Sequence, residues 1–101
     1  MGKYFTTEDL MEHCKDEAEY GRLTAFLYGK IGTAKDKDGY ELSKMLTVTR
    51  GERVIKKAFC LYSFKHAAQT IDKMIERGNG RMAKHFGAWT RYKEILLEVQ
   101  A

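Results

Sequence analysis

A chain of 101 residues, 44% of them hydrophobic and 12% aromatic, has one domain's length and too much apolar content for a disordered polymer. Its longest uninterrupted apolar run, Ala58 to Tyr62, is far short of the roughly 20 residues of a membrane-crossing helix, so no membrane partner is expected. The formal charge of +4 is segregated: residues 1–29 carry −3, residues 30–93 carry +9 and the remaining tail −2, and a positive surface of this kind attracts polyanions.

In chain order, the first element is expected to be a helix from Thr7 to about Tyr28. Thr6 serves as its N-cap with Asp9 three positions on, and Phe5 can staple to Leu10. Leu10, Met11, Cys14, Ala18, Leu23 and Phe26 recur at helical spacing, and Gly29 and Gly32 end the run. A polar turn follows over residues 33–38. Asp38 with Glu41 then has the spacing that opens a short helix through Leu42, Met45 and Leu46, and Thr49 with Glu52 the spacing that opens a long one. The long helix would bury Val54, Ile55, Ala58, Leu61, Tyr62, Ala68, Ile71, Met74 and Ile75, ending at Gly78. Asn79 would cap a last helix with Met82, Phe86, Trp89, Tyr92, Leu96 and Val99 on its inner stripe. The fold this predicts is all-α: one domain, residues 1–101, of four helices with a long third helix and a C-terminal helical hairpin. A second reading competes at residues 42–56. Tyr40, Leu42, Leu46 and Val48 also fit a period of two, and Thr47-Val48-Thr49 is β-branched, so a β-hairpin turning at Arg50-Gly51-Glu52 would make the fold α+β.

Most candidate sites fail on spacing. Asp36-Lys37-Asp38-Gly39 has the look of a calcium loop, but the two terminal ligand positions fall on Ala34 and Met45. Gly29-Lys30-Ile31-Gly32 reads as a helix end rather than a phosphate clamp. His13, Cys14, Cys60, His66 and His85 match no metal spacing, and no cofactor motif is present, so neither metal nor cofactor is expected. Cys60 and His66 stand six positions apart and Arg81 with His85 lacks an oriented base, so the chain is expected not to be an enzyme. Two cysteines 46 positions apart, with no secretory signal, predict a reducing, cytoplasmic setting.

Residues 41–59 carry the sharpest expectation. Leu42 and Leu46 as apolar residues of one helix, Ser43 as the small packing residue, Val48 in the turn and Thr49 as the next cap together resemble the helix-turn-helix of bacterial DNA-binding proteins. The resemblance covers 19 residues, with Thr47 at the family's turn glycine and Arg53 at a position the family buries. It implies a basic helix over residues 49–57 that enters the major groove through Thr49, Arg50 and Arg53, with Lys56 and Lys57 near phosphates. Arg81 and Lys84, in a second basic stripe with Lys73 and Arg77, would add phosphate contacts. DNA or RNA is therefore the expected partner, with homodimerisation to read paired half-sites a further expectation. The rival is a stoichiometric protein-binding module, such as an inhibitor or an accessory subunit of a larger complex. It would work through Tyr4, Phe5, Tyr20, Tyr28, Trp89 and Tyr92, because aromatics dominate interface hot spots.

Overall fold

The computed structural model describes residues 2–77 and 86–101. The fold is α+β, not all-α: helices pack into a core, and an antiparallel hairpin stands on it. Strand β1 (Tyr4–Phe5) leads into α1 (Thr7–Leu10), a 3-10 turn (Met11–His13), α2 (Glu17–Phe26) and a π turn (Leu27–Ile31). The hairpin strands β2 (Ser43–Arg50) and β3 (Arg53–Cys60) follow, then β4 (Tyr62–Ser63), α3 (Phe64–Glu76) and α4 (Phe86–Gln100).

The expected first helix divides in two because the chain contains a second cap. Thr6 does start α1, with the Asp9 carboxylate accepting from the Thr6 amide at 2.8 Å. Cys14, however, is extended, and Asp16 opens α2 by accepting from the Glu19 amide at 2.8 Å. Glu19 reciprocates by taking the Lys15 amide at 3.0 Å, so two orphan donors are satisfied at one break. The π turn ends where Gly32 takes φ +80 and its amide bonds the Leu27 carbonyl; Gly32 is thus the helix end, and Gly29 lies inside the turn.

The expected short helix after Asp38 is a turn. Asp36 accepts from the Asp38 and Tyr40 amides, Gly39 sits at φ +88, and Lys35 bridges to Glu41. The long helix is confined to its second half. Ser63, not Thr49, is its cap, accepting from the His66 amide at 3.2 Å. Residues 43–60 instead form the hairpin, in continuous register from Ser43↔Cys60 to Arg50↔Arg53. Gly51 at φ +64 followed by Glu52 at negative φ makes the two-residue connection that suits the right-handed twist of paired strands. Thr47, Val48, Thr49, Val54 and Ile55 supply the β-branched side chains such strands favour.

The core gathers Phe5, Leu10, Leu23, Phe26, Leu27, Ile71, Trp89, Tyr92, Ile95, Leu96 and Val99, among others. Phe26 stacks against Trp89 and Tyr92 at 5.1 and 5.2 Å between ring centroids, which ties α2 to α4. The sequence places Trp89, Tyr92, Leu96 and Val99 on one stripe, and all four are buried. β1 closes the other end by pairing with β4, Phe5 lying 4.5 Å from Phe64 and 5.7 Å from Tyr62.

One buried charge is matched across this core. Glu19 is 5% exposed, and Arg91 of α4 reaches it through Nε at 3.4 Å and Nη2 at 3.3 Å. The Lys15 amide, then the Arg91 guanidinium, hold the Glu19 carboxyl below its ordinary range. A carboxylate depressed in the folded state stabilises above its unfolded pKa, and that contribution is lost as pH falls through the lower, folded value. Arg91→Ala is accordingly expected to cost roughly 2 kcal/mol at neutral pH, less than for a fully enclosed pair because Arg91 is partly exposed. In urea titrations the deficit should shrink as the pH is taken into the acid range; a deficit independent of pH would refute the assignment.

Candidate nucleic-acid interface

The hairpin is the most exposed element of the described structure. Both strands show solvent on both faces, and the molecule extends 45 × 36 × 24 Å, with a radius of gyration of 14.5 Å against the roughly 13 Å of a compact chain this long. At about 3.3 Å per residue, each strand runs some 26 Å. Its base is held by a three-way tie: the Ala34 amide to the Leu61 carbonyl, the Leu42 amide to Ala34 and the Leu61 amide to Leu42.

Register sorts the side chains into two faces, because residues opposite one another share a face and neighbours alternate. One face carries Lys44↔Phe59, Leu46↔Lys57, Val48↔Ile55 and Arg50↔Arg53. The other carries Ser43↔Cys60, Met45↔Ala58, Thr47↔Lys56 and Thr49↔Val54. Four of the hairpin's cations, Lys44, Arg50, Arg53 and Lys57, thus share one face, and the sole hairpin acid, Glu52, is in the turn. Leu46, Val48 and Phe59, the hairpin's half-buried residues, are on that same face, so it is the one turned toward the helices. Lys57 stands 5.4 Å from the centre of the Phe59 ring.

The expected site residues are therefore only partly assembled. No helix covers residues 49–57, and the segment that resembles a helix-turn-helix folds as two strands. Arg50, Arg53 and Lys57 share one face, the two arginines opposite each other at the tip and Lys57 four residues further along, whereas Thr49 and Lys56 point to the opposite face. Arg81 and Lys84 lie outside the described residues, as does His85. Lys44 joins the basic face although helical spacing gives no reason to select it; the period-two pattern of Leu42, Leu46 and Val48 is the signal that finds it. Arg50 is not free. Its Nη2 lies 3.1 Å from Glu8 Oε1, and a cleft of about 520 Å³ beside it is lined by Met11, Cys14, Asp16, Glu17 and Tyr20.

The aromatic surface proposed for a protein partner is largely internal. Phe5, Trp89 and Tyr92 are buried and Tyr20 is half-buried, leaving Tyr4 and Tyr28 exposed. Of the groups considered for catalysis, Cys60 and His66 each bond a different partner. The Cys60 thiol donates to Glu41 Oε2 at 3.1 Å, a bond that raises its pKa and keeps it protonated, while His66 Nε2 lies 3.2 Å from the Ile31 carbonyl. His13 faces Glu98 at 3.3 Å. Among the described residues, no group of three histidine, cysteine or acidic side chains is placed to hold a metal, and no helix is long and apolar enough to cross a membrane. Neither the protein-family models, nor the curated proteins, nor the solved structures include a match to this chain.

Proposed function

We propose that this chain is a small, non-enzymatic nucleic-acid-binding protein whose contact element is the β2–β3 ribbon. The observation that carries the reading is the gathering of Lys44, Arg50, Arg53 and Lys57 on one ribbon face with no acid among them. A two-stranded ribbon is one of the two elements a DNA major groove admits, and cations along it meet phosphates at the groove edges. The ribbon takes the place of the basic helix as the contact element. Duplex DNA at about 50 mM salt should bind, and Arg53→Ala combined with Lys57→Ala should weaken binding roughly tenfold or more, because two phosphate contacts go together. Fluorescence anisotropy measures both. Wild-type protein that leaves DNA and RNA equally unbound at that salt overturns the proposal.

One observation favours the second reading, a protein-binding module. The outer ribbon face exposes Met45 (64%) and Val54 (69%) and carries Lys56 as its one cation. An exposed, weakly charged strand face of this kind suits a protein surface. Val54→Glu separates the two readings, since it strikes the outer face and leaves the four clustered cations in place.

A further inference from the structure

The basic face of the ribbon keeps its cations exposed, yet at its tip it turns onto the acidic start of the chain. Arg50 crosses 42 positions of sequence to meet Glu8, which stands in the first turn of α1 with its side chain only 18% exposed, while Arg50 keeps 56% exposure. Asp16 and Glu17 line the same cleft as Arg50. Among the described residues this is the one ion pair between the hairpin and the helical body. It holds the ribbon at its tip, where leverage on a two-stranded arm is greatest, and the tie through Ala34, Leu42 and Leu61 holds only the base.

We propose that Glu8 is a latch. Its carboxylate occupies Arg50 as a phosphate would, and a polyanion reaches the ribbon's inner face by displacing it. The identity of that polyanion rests on the function proposed above, whereas the latch belongs to the free protein. A partly exposed ion pair is weak, so phosphates compete with it readily, yet its presence lowers affinity by the strength of the pair. The pair therefore favours ligands that offer several phosphates at once, because these gain contacts with Arg53, Lys57 and Lys44 as they displace Glu8, whereas an isolated anion gains only Arg50.

The test compares Glu8→Gln with the wild type, with Glu12→Gln as a control that removes the same charge from an exposed residue. The first readout is the 15N order parameter of the Gly51 amide in free protein. It should fall in Glu8→Gln and stay unchanged in Glu12→Gln. The second is duplex affinity at low salt, which should rise about two- to fivefold in Glu8→Gln alone. Arg50→Ala, which loses a cation but also frees the arm, should weaken binding less than Arg53→Ala does. An unchanged Gly51 order parameter in Glu8→Gln overturns the latch whether or not nucleic acid binds. Equal affinity gains in the two glutamine variants also overturn it, since net charge alone would then account for them. Failure of the wild type to bind any nucleic acid strikes the functional reading instead and leaves the mobility measurement to decide the latch.

Discussion

Phe5→Ala should destabilise the protein by roughly 3–5 kcal/mol and lower Tm by about 15 °C or more. Phe5 is completely buried although it is only the fifth residue, and its ring packs against both Tyr62 and Phe64. Truncating it removes apolar area and leaves a cavity at the junction of three elements, because β1 pairs with β4 between the exit of the hairpin and the start of α3. The Phe64 amide bonds the Lys3 carbonyl at 3.1 Å, so loosening β1 also frays the first turn of that helix. Tyr4, its neighbour on the outer face at 40% exposure, provides the contrast: Tyr4→Ala should cost less than about 1 kcal/mol. Denaturant titration measures both, and a Phe5→Ala cost no greater than that of Tyr4→Ala would show that the N-terminal strand is not part of the core.

Nucleic-acid affinity should fall about a hundredfold between roughly 50 and 200 mM salt. Binding through the four clustered cations releases about four counterions, which gives a slope near −3.6 in log affinity against log salt. Arg53→Ala should bring that slope about one unit closer to zero. Lys56→Ala lies on the opposite face and should change it less. A slope that is flat, or that responds equally to Lys56 and Arg53, would mean that the inner face is not where phosphates bind.

The cap at Thr6 was legible in the sequence because it is local, whereas the same spacing opens no helix at Asp38, which lies in a turn, or at Thr49, which lies in a strand. Thr6 with Asp9 needs only four residues to act, and the α4 stripe of Trp89, Tyr92, Leu96 and Val99 needs only helical periodicity. The break at Asp16 was legible in principle, since Asp16 and Glu19 have the same cap spacing, but the apolar run across it masked the signal. Residues 43–60 were ambiguous for a physical reason. A stripe pattern reveals an element by the face it buries, and this hairpin buries neither face fully, so period two and period 3.6 fitted its apolar residues almost equally well.

The amino-acid order alone determined the cap at Thr6, the inner face of the last helix and the separation of acid from base along the chain. Each of these depends on near neighbours or on simple counting. Only the tertiary structure decided that the middle of the chain is strand, that Phe5 is core and that Arg50 rests on Glu8. Those outcomes depend on groups tens of residues apart, and their free energies exist only once the chain has brought the groups together.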